Sequence, residues 1–292
     1  VDATTLAPHL LDQVSEAQGL FTLLTIPINR NIITRASHLQ VISNMAAGVD
    51  NIDVAACTQR GIPVGNTPDV LTEGTADLTM ALLLSIARRL PQASLDARNG
   101  KWKTWSPTGW LGADLSGAVL GIIGMGKIGQ AVARRALGFG MHIVYYDTHP
   151  KDGIPADYLS IDELLKISDF VSLHTPLTEN TYHLLNATRL ALLKSTAFLI
   201  NTSRGAVIDP NALYQTLSDG KFAGAALDVT DPEPLPPNHP LFQLPNCLIL
   251  PHIGSATYNT RRRMAELACA NLLAGLSGEK MPHCVNPEVY RG

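Results

Sequence analysis

The chain is short of cysteine, of net charge and of long apolar runs, and each shortage excludes a class of protein. Cys57, Cys247, Cys269 and Cys284 are its only cysteines, widely spaced, with no C-x-x-C pair and no histidine at ligand spacing. A disulfide framework and a metal site are therefore excluded, and reduced structural thiols are expected. A formal net charge of −3 leaves no basic surface for nucleic acid. Arg261-Arg262-Arg263 is too short to supply one and reads as a solvated helix face. The longest apolar helical stretch, near 80–87, is broken by Ser85 and followed by Arg88-Arg89. It falls short of the ~20 residues that a membrane span needs. Val1-Asp2-Ala3-Thr4-Thr5 has neither the basic start nor the apolar centre of an export signal, so a soluble cytoplasmic protein is the expectation. The sequons Asn186-Ala-Thr188 and Asn201-Thr-Ser203 are then coincidental.

What is present is apolar residues in a repeating order. With 292 residues, 46% of them apolar, the chain can bury a large core in about two domains. The first part reads as a small α/β unit, with helices at 6–16 and 31–36 and strands at 19–25, 39–44 and 61–65. A long helix follows the turn and capping residues of 66–74, with Leu78, Ala81, Leu82, Ser85, Ile86 and Leu90 on one stripe and Pro91 at its exit. Beyond it, strands at 119–123, 142–146, 170–174, 197–201, 224–229 and 247–251 alternate with helices at 128–137, 161–165, 186–193 and 210–219. That order predicts a doubly wound parallel sheet. A last helix over 257–276 is suited to return to the first unit.

Gly124, Gly126 and Gly129 form G-x-G-x-x-G where the strand at 119–123 passes into a helix. The first glycine permits the tight turn, the second admits a pyrophosphate to the backbone, and the third lets helix and strand pack closely. Asp147 ends the next strand, eighteen residues after Gly129 (147 − 129), near the spacing that sets a carboxylate on ribose hydroxyls. Those features together predict a dinucleotide site. Three further residues lie at or just beyond strand C-terminal ends, where ligands sit in such sheets. Arg204 can grip a carboxylate and its neighbouring carbonyl, His252 can move a proton, and Glu233 in a proline-rich loop can orient that histidine.

The sequence resembles the D-isomer-specific 2-hydroxyacid dehydrogenase family over nearly its whole length. The resemblance rests on the glycine motif, His174-Thr-Pro-Leu-Thr178, Asn201-Thr-Ser-Arg-Gly205, Leu227-Asp-Val229, Asp231-Pro-Glu-Pro234 and Pro251-His-Ile-Gly-Ser255. Within the family, Thr67-Pro-Asp-Val-Leu-Thr72, Asn99-Gly-Lys-Trp102, Trp110-Leu-Gly112, Asn238-His-Pro240 and Ile253-Gly-Ser-Ala-Thr257 look most like glyoxylate/hydroxypyruvate reductases. The resemblance implies a Rossmann domain at 67–257 and a smaller flavodoxin-like substrate domain at 1–66, completed by 258–292. It assigns catalysis to Arg204, Glu233 and His252, and the substrate carboxylate to the amides of Ala47 and Gly48. The cofactor is assigned to Gly124, Gly126, Lys127, Ile128, Gly129, Asp147, Thr175, Pro176, Thr181, Thr202, Asp228 and Gly254, with Asp228 on the nicotinamide carboxamide and Pro176 and Thr181 beside the adenosine.

Two features depart from the family. About one strand and one helix that open the substrate domain are not found before Asp2. Asp147 stands where many relatives of the reductase group carry arginine and use NADPH, and no arginine follows in Asp147-Thr-His-Pro150, so NADH is expected. The expected reaction is reduction of a small 2-oxo acid, hydroxypyruvate or glyoxylate. A D-lactate or phosphoglycerate dehydrogenase and a dinucleotide-sensing corepressor are the alternatives. Trp102, Trp105 and Trp110 cluster in a stretch punctuated by glycine and proline, which suits a homodimer interface, with Trp105 at the neighbouring copy's substrate pocket.

Overall fold

A computed structural model describes residues 13–291. They form two compact units: one runs to Leu71 and resumes at Ser255, and the other spans Thr72–Gly254. No helix among the described residues is long and apolar enough to cross a membrane.

The first unit contains β1 (Gly19–Thr22), α1 (Arg30–Arg35), β2 (Val41–Asn44), α2 (Val54–Gln59) and β3 (Val64–Gly65). Its strands are parallel, in the order β1-β2-β3. The Asn29 and Asp53 side chains accept the Ile32 and Ala56 amides and so start the two helices. All four residues of β2 are buried, as expected of a central parallel strand covered on both faces.

The second unit contains α3 (Thr72–Ala87), α4 (Leu90–Arg98), β4 (Val119–Ile123), α5 (Lys127–Gly138), β5 (His142–Tyr146), β6 (Asp157–Tyr158), α6 (Ile161–Ile167), β7 (Phe170–Leu173), α7 (Ala187–Leu190), β8 (Phe198–Asn201), α8 (Pro210–Ser218), β9 (Gly224–Leu227) and β10 (Cys247–Ile249). Its seven strands are all parallel, in the order β10-β9-β8-β7-β4-β5-β6. Alternate residues feed two cores. Leu120, Ile122, Phe170, Ile200 and Ala226 enter one, while Ile123, Val171, Leu173, Leu199, Ala225 and Leu227 enter the other. This is the expected doubly wound sheet. Its order reverses between β4 and β7, which opens a crevice at the C-terminal ends of those strands.

The chain then re-enters the first unit as α9 (Tyr258–Leu276), capped by the Thr257 hydroxyl on the Thr260 amide. The helix lies close on the small sheet, because a Cβ on Gly65 would stand only 2.9 Å from Asn271. Arg261, Arg262 and Arg263 are exposed on it.

Three local expectations are corrected. Pro91 does not end the long helix: the chain turns at Arg89, with φ +52°, and Pro91 sits in the first turn of a new helix, α4. The buried face of α3 includes Leu82 and Ile86 of the expected stripe but not Ala81, which is exposed, and Leu90, also exposed, lies in the next helix. Ala76, Met80, Leu83 and Ala87 are buried as well, so the buried face is wider than the stripe, because α3 packs against β8 and β9 as well as α5. Several strands are shorter than their apolar runs, since the outlying residues belong to turns at the strand ends. The helix at 6–16 lies mostly outside the described residues, although 13–16 are helical.

Candidate active site

The glycine turn follows β4 at the crevice. Gly124 has φ +98°, and a Cβ there would stand 2.7 Å from the His174 carbonyl. A Cβ on Gly129 would collide with the Gly124 carbonyl oxygen, whereas one on Gly126 would meet nothing within 4 Å. The close contacts thus explain Gly124 and Gly129, and the backbone at Gly126 is open on that side. Gly126 caps α5 without any side-chain hydrogen bond, so the first turn of that helix presents amides suited to an anion. Lys127 and Ile128 begin the helix. Across the crevice, the Thr175 hydroxyl oxygen is buried with no partner among the described residues. The uncapped helix and this orphaned hydroxyl fit a dinucleotide.

Asp147 lies one residue beyond β5, and its carboxylate turns back toward the glycine loop. One oxygen accepts the Met125 amide at 3.0 Å, and the other accepts the Thr148 amide at 2.7 Å and the Thr148 hydroxyl at 3.1 Å. The Lys151 ammonium stands 3.7 Å from it, a partner four residues on that the expectation for this loop omits.

Arg204, Asp228 and His252 follow β8, β9 and β10. The buried Asn201 side chain accepts from the Ser203 amide at 3.0 Å and hydroxyl at 2.8 Å, and donates to the Arg204 carbonyl at 2.9 Å. These bonds set the backbone at Arg204. Thr202 shares a 3.0 Å hydroxyl hydrogen bond with buried Thr79 of α3. Gly205 is required because a Cβ there would overlap the Thr230 carbonyl.

Asp228 is 1% exposed, and its two oxygens accept the Ile253 and Gly254 amides, each at 2.7 Å. Burial raises its pKa above the usual value against the lowering pull of those amides. The bonds hold His252 in a left-handed conformation, φ +54°, uncommon for a residue with a Cβ. From there, His252 Nδ1 lies 2.5 Å from Glu233 Oε1, and the other Glu233 oxygen accepts the Thr230 amide at 3.3 Å. Burial opposes the charged form of Glu233, yet hydrogen bonding and charge from His252, with the Thr230 amide and Arg204, hold its pKa below the usual value. The arrangement can therefore present an imidazole whose orientation a carboxylate fixes, with a guanidinium in the same unit.

Residues 80–254 match the family model described as D-isomer specific 2-hydroxyacid dehydrogenase, NAD binding domain. A glyoxylate reductase of Korarchaeum cryptofilum is 48% identical over 97% of this chain and 86% of its own. The chain belongs to the D-isomer specific 2-hydroxyacid dehydrogenase family. Among solved structures, a Thermus thermophilus protein matches this dehydrogenase at TM-score 0.91 and 53% identity, covering 96% of this chain and 90% of the other. A Sinorhizobium meliloti glyoxylate/hydroxypyruvate reductase, described as NADPH-dependent, matches at TM-score 0.86 and 34% identity, covering 97% and 87%. This dehydrogenase is thus an oxidoreductase of 2-oxo acids that takes a nicotinamide dinucleotide.

Other expected site residues have different surroundings. The Thr181 hydroxyl donates to the Pro176 carbonyl at 2.6 Å and accepts the Thr178 amide at 2.7 Å, so it closes its own turn. Trp105 is 80% exposed. Ala47 and Gly48 lie in the first unit, in the loop after β2. The cysteines are unbridged, and burial pushes Cys57 up to about 11 and Cys247 up to about 12, as suits inert thiols. No group of residues able to hold a metal occurs among the described residues.

Proposed function

We propose that this dehydrogenase reduces glyoxylate and hydroxypyruvate with NADH, the latter to its D-2-hydroxy acid. The carrying observation is the 2.5 Å pair of His252 and Glu233, in the same compact unit as Arg204. When bound, the dinucleotide supplies the hydride. Arg204 grips the substrate's carboxylate and carbonyl oxygen, and His252 gives that oxygen a proton. With Nδ1 turned to Glu233, the imidazole carries its transferable proton on Nε2. The first unit serves as substrate domain, where the amides of Ala47 and Gly48 take the carboxylate. Gly124, Gly126, Gly129 and the start of α5, with Lys127 and Ile128, hold the pyrophosphate. Thr175, Pro176 and Thr181 border the adenosine side, and Thr202, Asp228 and Gly254 the nicotinamide side.

Asp147 supports NADH, since its carboxylate would repel a 2′-phosphate, although Lys151 offsets part of that charge. Initial rates with glyoxylate, hydroxypyruvate, pyruvate and phosphohydroxypyruvate against both cofactors test the reading. The expected result is the highest kcat/KM for the first two acids with NADH, and a move toward NADPH in Asp147→Arg. Strong wild-type preference for NADPH or for pyruvate would overturn the corresponding part.

A homodimer completes the proposal. Trp102, Trp105 and Leu111 are 76%, 80% and 65% exposed, more bare apolar surface than one copy uses. Trp105 then limits substrate size in the partner's pocket. Solution mass across a dilution series tests the assembly, and Trp105→Ala assayed on small and bulky 2-oxo acids tests the pocket role.

A further inference from the structure

The loop after β2 is held by three hydrogen bonds to three consecutive carbonyls. The Ala46 carbonyl accepts the Thr67 amide at 2.8 Å, the Ala47 carbonyl accepts Asn66 Nδ2 at 2.7 Å, and the Gly48 carbonyl accepts Asn44 Nδ2 at 3.0 Å. In a trans peptide the N–H points opposite to its own C=O. Each bond therefore turns one amide away from its brace: Ala47, Gly48 and Val49 in succession.

The braces are themselves anchored inside the first unit. Asn44 is fully buried and also donates to the Asn51 side-chain oxygen at 3.0 Å, and Asn51 in turn donates to the Leu23 and Ile26 carbonyls. The Asn66 carbonyl accepts Asn271 Nδ2 of α9 at 2.9 Å. Two atoms of the assembly, Asn44 Oδ1 and Thr67 Oγ1, are buried with no partner among the described residues. Burying unpaired polar atoms costs stability, so stability alone does not account for these side chains.

We infer that Asn44 and Asn66 are positioning residues, which hold three peptide planes so that the Ala47, Gly48 and Val49 amides receive the 2-oxo acid's carboxylate. The inference rests on the proposed reduction and adds to it two side chains and a third amide, that of Val49. Because these amides meet only the carboxylate, loss of a brace should weaken glyoxylate and hydroxypyruvate alike and leave the dinucleotide unaffected.

The test is steady-state kinetics of Asn66→Ala and Asn44→Ala with both acids, alongside wild type and Arg204→Ala. Each brace variant should raise KM about tenfold for both acids, change kcat little and leave the KM for NADH unchanged. Inhibition by oxalate, which has carboxylates but no reacting carbonyl, should weaken in parallel. Asn66 is only half-buried, so Asn66→Ala should fold if Asn44→Ala does not. Unchanged KM and oxalate inhibition in Asn66→Ala, or a fall in kcat that follows thermal stability at constant KM, would overturn the brace while an active wild type and an impaired Arg204→Ala upheld the reaction. A wild type inactive on both acids would overturn the reaction and the brace with it.

Discussion

Two turns at strand ends of the same sheet reach left-handed backbone by opposite means. After β4 the residue is Gly124, φ +98°, where a side chain would strike the His174 carbonyl. After β10 the residue is His252, φ +54°, which keeps its side chain because Asp228 holds the next two amides. A binding turn needs only bare backbone, and glycine supplies that at no steric cost. A turn that must aim an imidazole cannot use glycine, so it relies on a buried carboxylate to keep an unfavourable conformation.

Breaking the two turns should separate binding from chemistry. His252→Ala should lower turnover by ~10²–10⁴ and leave dinucleotide affinity near wild type, because a positioned proton donor is lost and the glycine turn is untouched. Gly124→Val should do the reverse and weaken the dinucleotide first. Titration of NADH followed by single-turnover rates distinguishes them, and retained turnover in His252→Ala would refute the mechanism. The anchor of the second turn should matter next. Asp228→Ala leaves the Ile253 and Gly254 amides without their acceptor, at about 1–3 kcal/mol for each that stays buried. Thermal melts should show the loss, and kcat should fall as His252 leaves its geometry.

Glu233→Gln is expected to be the mildest change and sharpens the comparison through pH. Without the carboxylate that orients His252, kcat should fall, though less than in His252→Ala. The stability effect has its own sign. Because the folded protein holds the Glu233 pKa below its ordinary 4.5, the ionised carboxylate stabilises the fold above that pH, and the contribution disappears as pH falls through the lowered value. The stability gap between wild type and Glu233→Gln should accordingly narrow in acid, and melts across pH 3 to 7 would show it.

Much of the frame was legible because apolar runs in a doubly wound sheet must alternate with helices. The bounds of β4 and β5 agree with their runs, and the glycine spacing marks the turn between β4 and α5. Arg204, Glu233 and His252 were legible as residues near strand ends, but not the distance between two of them. The break at Arg89 was hidden because Pro91 suits the start of a helix as well as the end of one. Lys151 beside Asp147 escaped notice because the proximity comes from the fold of a loop. Asn44 and Asn66 carry no motif at all, since any side chain with an amide donor at the right place would serve.

The sequence by itself determined the order of strands and helices, the dinucleotide turn and the kinds of reactive group at the sheet's edge, because periodicity, glycine spacing and side-chain chemistry are local properties. Tertiary structure alone decided that His252 stands in the left-handed region against Glu233 and that Asp228 lies buried beneath two amides. Those features depend on segments distant in sequence meeting at strand ends, for example Asp228 and Ile253, and on a conformation that His252 would not keep alone.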